Sequence, residues 1–431
     1  LKNTAIKLYK LFTEFPKVST DTRKEIKDSI FFALKGENFN GNEFAETAIK
    51  NGAAYAIIDD EKIKIKNKYI LVDDVLKTLQ ELAKYHREHF NITVIGITGS
   101  NGKTTTKELI NAVLSKKYNT VATSGNLNNH IGVPLTILSI TKKTEIAVVE
   151  MGANHIGEIS ELCKIAKPNF GIITNVGKAH LEGFGSIKGI IKAKTELYNY
   201  IRSVNGKLFV NIDNLLLNQL SDKIHRATYG TASNAECLIK LLEANPFVLL
   251  EWNKADKQYI INSKLIGNYN FENIQAAICI GNYLKVEPGK IISAIENYEP
   301  ENNRSQIIKS LKNKIILDAY NANPDSMMVS INNFAEIPFK NKILIIGDML
   351  ELGTQSVEEH QNILNIIENH NFSKVLLIGE EFSSVNSNKN WNTFKTTKEA
   401  FEWLKNYPVE NASILIKASR LMKLEQLVEV L

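Results

Sequence analysis

The sequence predicts an α/β protein in three units: a mixed α/β unit over residues 1–88, a central unit with a mostly parallel sheet over 89–304, and a doubly wound, Rossmann-like unit over 305–431. Three observations lead there. Short apolar runs such as NITVIGITG, EIAVVEMG, NFGIITNVG and GKLFVNID end in polar loops and alternate with helical stretches, the pattern of parallel strands buried on both faces. The alternation restarts after residue 305 with KIILDAY, KILIIGD, KVLLIGE and SILIKAS, whose ligand should sit beyond the strand carboxyl ends. And 431 residues exceed one core, at roughly 150 residues per domain.

Composition narrows the class. Hydrophobic residues at 44% and charged residues at 23% exclude a disordered chain, a collagen-like fibre and a disulfide-stapled mini-protein. A mean hydropathy of −0.16 and the lack of a long apolar run speak against membrane insertion, and LKNTAIKLYKLF does not read as a signal peptide. Cys163, Cys237 and Cys279 are an odd, widely spaced set that fits no zinc spacing, so a reducing cytoplasm is expected. The net charge of +5 suits small anionic substrates and is too weak to argue for nucleic acid.

In the first unit, KNGAAYAIIDD and KYILVDDV read as strands. VLKTLQELAKYHREHF reads as a helix, with Val75, Leu79, Leu82, Tyr85 and His86 near helical spacing. The central unit opens on GITGSNGKTTTKE. A strand runs into Gly99, Ser100, Asn101, Gly102, Lys103, Thr104 and Thr105, and a helix follows: glycines allow a tight turn, backbone N–H groups and the helix terminus face an anion, and lysine adds charge. The spacing departs from G-x-x-x-x-G-K-[ST], since Ile97 stands five before Gly102. ATP binding is expected, with Thr104 placed for Mg²⁺. Glu150, at the end of EIAVVE, can hold the same ion.

His180 lies on the loop after NFGIITNV; alone, such a histidine is more often structural. The helix SIKGIIKAKTELYNYI puts Ile187, Ile190, Ile191, Lys194, Leu197 and Tyr198 on one stripe, while Lys188 and Lys192 share another face. Two residues on a helix subtend roughly 200°, so Lys192 and Lys194 cannot serve one site. NFENIQAAICIGNYL reads as a helix; apart from any ligand contact, with which it is compatible, the plain expectation for Asn270 is its N-cap. Asp318 ends the strand KIILD, and Pro324 opens the next helix.

TGSNGKTTT resembles the T-G-x-N-G-K-[ST] loop of the Mur ligase and folylpolyglutamate synthetase superfamily, ATP-dependent amide-bond ligases. TNVGKAHLEGFGS resembles its N-[IV]-[GS]-x-[DA]-H-L motif, which implies that His180 binds a second Mg²⁺. AKTE resembles A-K-x-E, which implies a carbamylated Lys194 on that ion. GNYNFENIQAA and NYEPENNR resemble further segments, implying Asn270 and Asn273 beside the adenine and Arg304 at the γ-phosphate or ribose; Tyr269 stands where histidine is common. The resemblance thus implies Lys103, His180 and Lys194 as catalytic residues.

Within that superfamily, DAYNANPDSM, GDMLELG and KASRLMKLE resemble the Mur branch that joins D-alanyl-D-alanine to UDP-N-acetylmuramoyl-tripeptide. Sister branches carry D-x-Y-[AG]-H-x-P at the first of these. Asp318 and Asn321 would then contact the nucleotide. VSTDTRKEIKDSIFFALKG resembles the branch's amino-terminal segment, implying Ser19, Asp21 and Arg23 at the UDP-sugar, although its usual Asp-Gly reads Asn40-Gly41. TSGNLNNHIGVPLT resembles its substrate loop, implying that Asn126, Asn128 and Asn129 bind sugar or pyrophosphate oxygens. The resemblance implies a cytoplasmic ligase of peptidoglycan precursors, acting through an acyl phosphate; a monomer is expected, though the sequence itself does not show the oligomeric state. A ligase adding diaminopimelate, lysine or glutamate is the alternative, against which the Asn-Ala-Asn loop stands. A nucleotide switch is a second alternative, and it would leave the substrate motifs without purpose. The tripeptide's third residue is not readable.

Overall fold

The computed structural model describes residues 2–63, 67–310 and 312–431. Its strands fall into three main sheets. The first holds β1 (Val18–Ser19), β2 (Ile30–Phe32), β5 (Tyr55–Ile58) and β6 (Tyr69–Leu71), all parallel, beside a small hairpin of β3 (Lys35–Gly36) and β4 (Phe39–Asn40). The helix Val75–Glu88 starts where the Asp74 side chain accepts from the Lys77 N–H, and it buries Val75, Leu79, Leu82 and His86. The sequence reading placed no helix at the amino end; Lys2–Glu14 is one. It buries Leu8 and Phe12, and its Tyr9 ring stacks on His89 at 4.5 Å. His86 in turn lies 2.8 Å from the Ile140 carbonyl, which ties the first unit to the central one.

The central sheet has nine strands: β7 (Thr93–Thr98), β8 (Thr120–Ala122), β9 (Ile146–Glu150), β10 (Phe170–Ile173), β11 (Lys207–Asn211), β12 (Arg226–Gly230), β13 (Cys237–Glu243), β14 (Phe247–Lys254) and β15 (Lys257–Ile266). Their spatial order is β15-β14-β13-β12-β11-β10-β7-β9-β8. The strands β7 to β13 pair in parallel, whereas β13-β14 and β14-β15 are antiparallel. The parallel core is apolar through and through: all five residues of β9 are buried. The antiparallel wing was not anticipated, because one of its faces meets solvent and its residues alternate. In β15, Ile261, Ser263 and Leu265 are buried while Gln258, Ile260 and Asn262 are exposed. Beneath the sheet, the helices Lys103–Leu114 and Tyr269–Tyr283 approach so closely that a Cβ on Gly281 would lie 2.5 Å from Val113. That second helix is capped by Asn268, so Asn270 lies inside it and not at the expected N-cap.

The third sheet comprises β16 (Gln306–Lys309), β17 (Lys314–Asp318), β18 (Lys342–Gly347), β19 (Lys374–Ile378), β20 (Asn392–Phe394) and β21 (Ser413–Lys417), in the order β16-β17-β21-β18-β19-β20. Only β16-β17 is antiparallel. The carboxyl ends of β17, β18 and β21 meet: Ser419 Oγ accepts from the Leu350 N–H (2.9 Å) and donates to the Ala322 carbonyl (3.5 Å). Among the described residues, no helix is long and apolar enough to cross a membrane.

Trp252 on β14 is fully buried and is the largest such side chain. Trp252→Ala should cost roughly 3–5 kcal/mol through lost burial and a cavity. Urea unfolding followed by circular dichroism would show it, and a loss under about 1 kcal/mol would contradict the packing described.

Candidate active site

The fully buried end of β7 releases the chain into a loop that only small residues can follow. Gly99 has φ +149°, and a Cβ there would lie 2.0 Å from Thr174 Oγ1. Gly102 has φ +76°, and a Cβ there would lie 2.5 Å from Asn273 Oδ1. The loop is pinned from the neighbouring strand end. Asn101 N–H donates to Asn175 Oδ1 (2.9 Å), Thr174 Oγ1 donates to the Asn101 carbonyl (2.6 Å), and Ser100 Oγ donates to the Gly177 carbonyl (2.9 Å). The helix Lys103–Leu114 begins at once, so its free N–H groups face the loop's concavity. Lys103 Nζ folds back onto the carbonyls of Gly99 (2.7 Å) and Ser100 (2.9 Å). Burial, with a smaller push from Arg304, lowers its pKa to about 8 against the pull of Glu150.

Glu150 ends β9 at 1% exposure. Its Oε1 accepts from Thr104 Oγ1 (3.1 Å) and Asn128 Nδ2 (2.7 Å), while its Oε2 has no partner. A buried carboxylate oxygen without a partner, beside a hydroxyl at the phosphate loop, fits a divalent cation. Among the described residues no three His, Cys, Asp or Glu side chains converge as a metal cluster. That suits Mg²⁺, which keeps few protein ligands and completes its shell with phosphate oxygens and water.

The two residues expected on a second ion are placed differently. Lys194 is 1% exposed on the helix Ile187–Ser203, and among the described residues no carboxylate pairs with it; its Nζ lies 5.2 Å from the Phe184 ring. Burial first, then Lys103, lowers its pKa to about 7. Lys192 is exposed. Ile187, expected on the buried stripe, is instead 40% exposed, because it opens the helix directly after the capping Ser186. His180 has φ +52° and its Nδ1 pairs with Glu351 of the third unit, so one ring nitrogen is already committed.

A cavity of about 1250 Å³ runs between the central and third units. Ser100, Asn101, Gly102, Lys103, Thr104, Thr105, Glu150 and His180 line it from the central unit, with Asn126, Asn128, Asn129, Asn270 and Asn273. Arg304, Asp318 and Asn321 line it from the hinge and the third unit. Gly99 and Lys194 lie outside the lining, as do Ser19, Asp21 and Arg23. Those last three bond one another: Asp21 takes a bidentate contact from Arg23 (2.9 Å each), and Ser19 Oγ donates to the Asp21 carbonyl (3.1 Å).

Some lining residues are already engaged. Asn273 accepts from Thr106 Oγ1 (2.9 Å) and donates to Asn270 Oδ1 (2.9 Å), so it buttresses the phosphate loop. Asn129 Oδ1 accepts from the N–H groups of Ile131 (3.1 Å) and Gly132 (2.9 Å). Asp318 is held by Lys417 Nζ (2.6 Å) and Ser330 Oγ (3.1 Å). The sequence reading missed Lys417, Tyr320 and Asp325 on the wall; all three sit inside quoted motifs, which was the available signal.

Across the seam, Asn323 Nδ2 donates to Asn101 Oδ1 (2.7 Å), Lys178 Nζ pairs with Glu359 (2.6 Å), and Lys178 N–H donates to Asp325 Oδ2 (2.7 Å). Gly177 permits this, since a Cβ there would lie 2.2 Å from Asp325 Oδ2.

Comparison with known proteins now adds to this geometry. The profile described as Mur ligase family, catalytic domain, matches residues 16–87; Mur ligase middle domain matches 97–281; and Mur ligase, glutamate ligase domain, matches 303–420. The chain belongs to the Mur ligase family. UDP-N-acetylmuramoyl-tripeptide--D-alanyl-D-alanine ligase of Bacillus subtilis is 35% identical to this Mur ligase over 428 residues, covering 96% of this chain and 92% of the relative. The crystal structure of MurF from Acinetobacter baumannii superposes with a TM-score of 0.83 at 29% identity, covering 96% of this chain and 92% of that one. MurF ligase from Thermotoga maritima, solved in complex with ADP, superposes with a TM-score of 0.82 at 27% identity, covering 96% of each. The three-unit α/β fold is that of the Mur ligases.

Gly102→Ala should lower affinity for an adenine nucleotide at least about 10-fold while the protein still folds, because both the positive φ and Asn273 oppose a Cβ. Titration with a fluorescent ATP analogue tests this; unchanged affinity would contradict the loop's role.

Proposed function

We propose that this Mur ligase joins D-alanyl-D-alanine to UDP-N-acetylmuramoyl-tripeptide at the expense of ATP, in the cytoplasm, as a monomer of three domains over 1–88, 89–304 and 305–431. One observation carries the reading. The phosphate loop, the Glu150–Thr104 pair, the asparagine loop at 126–129 and the Asn-Ala-Asn loop of the third unit all open on one cavity. The names of the curated relatives point to the same substrates.

The chemistry follows from charge. A tripeptide carboxylate oxygen attacks the γ-phosphorus of ATP, the bond to the β-phosphate oxygen breaks, and ADP leaves an acyl phosphate. The amine of the dipeptide then attacks the acyl carbon; phosphate leaves, a proton is lost, and an amide forms. Carboxylate and triphosphate repel, so the site must supply positive charge and fixed donors. Lys103 would leave its two loop carbonyls for the β- and γ-phosphates. The loop N–H groups and the helix terminus hold the phosphates without moving. Asn270 and Asn273 would border the adenine, and Arg304 would reach the γ-phosphate or the ribose, with Asp318 and Asn321 beside the nucleotide. Asn126, Asn128 and Asn129, with Ser19, Asp21 and Arg23 further out, would hold the UDP-sugar.

Thr104 and Glu150 would hold one Mg²⁺, and His180 through Nε2 with carbamylated Lys194 would hold a second. Bound there, Mg²⁺ would screen the phosphate charge. Lys194 supports its part by burial. A neutral amine adds CO₂ and releases a proton to give a carbamate, and low exposure next to Lys103 favours the neutral form.

Phosphate release should need ATP, UDP-tripeptide and D-alanyl-D-alanine together; fast release with ATP and Mg²⁺ alone would point to an ATPase or switch. Lys194→Ala should lose most ligase activity with the fold retained, and short carboxylates should restore part of it. Lys192→Ala, on the solvent face, should lose little. The reverse ranking at saturating bicarbonate would refute the carbamate assignment.

A further inference from the structure

The segment KASRLMKLE opens with Lys417, which holds Asp318 at the cavity wall. It begins in β21, whose carboxyl end is stitched through Ser419 to the loops after β17 and β18. Next to Ser419 stands Arg420. Its guanidinium lies 5.3 Å from the centre of the Tyr320 ring. Tyr320 lines the large cavity, and the Arg304 guanidinium lies on the same ring at 3.6 Å. The Arg420 side chain is 55% exposed, makes no hydrogen bond among the described residues, and has only a loose 4.0 Å approach to Glu425. It is therefore an uncommitted, permanently charged fork, outside the cavity lining itself and beside an aromatic ring that belongs to that lining.

Three cations of the cavity wall are already engaged. Lys103 belongs to the phosphate loop, Lys417 is paired with Asp318 at 2.6 Å, and Lys84 is paired with Glu81 at 2.8 Å. Arg304, stacked on Tyr320 with its buried Nε unpartnered, is the residue that the proposed function gives to the nucleotide. The acceptor in the proposed reaction is a dipeptide with a free carboxylate. Its amine must meet the acyl phosphate near Lys103, and its carboxylate lies ~7 Å further on when extended. Left unpaired, that anion would add to the negative charge already gathered in the site.

We infer that Arg420 binds the carboxylate of the incoming dipeptide through its guanidinium fork and so selects an acceptor that ends in a free acid. This rests on the ligase reading above and names the group that reads the far end of its second substrate. A planar fork matches a carboxylate bidentately, which gives geometry as well as charge. Arg420 is thus assigned a specificity role; it takes no part in bond making.

The test compares D-alanyl-D-alanine with D-alanyl-D-alaninamide, which keeps the amine and both methyl groups but carries no negative charge. The wild-type protein should ligate the acid with a kcat/KM at least about 10-fold above that of the amide. Arg420→Gln should lower kcat/KM for the acid about 10- to 100-fold, mostly through KM, and bring the acid-to-amide ratio close to one. KM for ATP and for the UDP-tripeptide should stay within about twofold. Arg420→Lys, which keeps the charge and loses the fork, should fall between. A residue with only a structural role would lower activity with acid and amide alike, leaving their ratio intact, and that result overturns the assignment. An equal loss in KM for ATP and for the dipeptide also overturns it. If the wild-type protein ligates neither acceptor, the ligase reading itself fails, an outcome distinct from an unchanged ratio in an active variant.

Discussion

A carboxylate taken out of water, with one oxygen left unpaired, is costly unless a cation joins it, and Glu150 is such a group at 1% exposure. Much of the central unit is arranged around it. The parallel strands β7 and β9 bring their carboxyl ends side by side, so the phosphate loop and Glu150 leave the sheet together. Thr104 and Asn128 occupy one oxygen and orient the other. The unpaired oxygen belongs to a residue that lines the cavity, where in the proposed function a nucleotide-bound cation would complete it.

The second constraint is that the machinery is divided. The phosphate loop belongs to the central unit, while Asp318, Asn321 and Arg420 belong to the third. The seam is polar: Asn101 with Asn323, Lys178 with Glu359, His180 with Glu351. Such contacts can be exchanged for water at little cost, unlike an apolar interface, so they allow the units to meet without welding them. His180 shows the consequence. In this arrangement its Nδ1 serves the seam, and only Nε2 remains for a metal.

Much of this could be read before any coordinates. The parallel strands were visible because burial on both faces leaves continuous apolar runs, as in Ile146–Glu150. The phosphate loop was visible because glycine at 99 and 102 answers a steric demand that few other residues can meet. The antiparallel wing was hidden because its alternation is written in mixed residues such as Ile260, exposed, and Ser263, buried. The amino-terminal helix was overlooked because its apolar residues find their partners in a helix more than sixty residues away. At the site, residue types were readable but their partners were not. Nothing in the sequence says that Asn273 holds up Gly102, that Asp318 is spent on Lys417, or that Asn129 ties its own loop. Such facts depend on contacts between distant segments, and only packing decides them.

In the proposed function Glu150 anchors a nucleotide-bound cation, and Mn²⁺ is a direct probe of that. Electron paramagnetic resonance titration with a non-hydrolysable ATP analogue should show tight Mn²⁺ binding to the wild-type complex. With Glu150→Gln, which keeps the shape and removes the charge, affinity should drop at least about 10-fold while the apoprotein becomes no less stable to heat, since an unpaired buried charge has gone. Equal Mn²⁺ affinity in the two proteins would contradict the central claim.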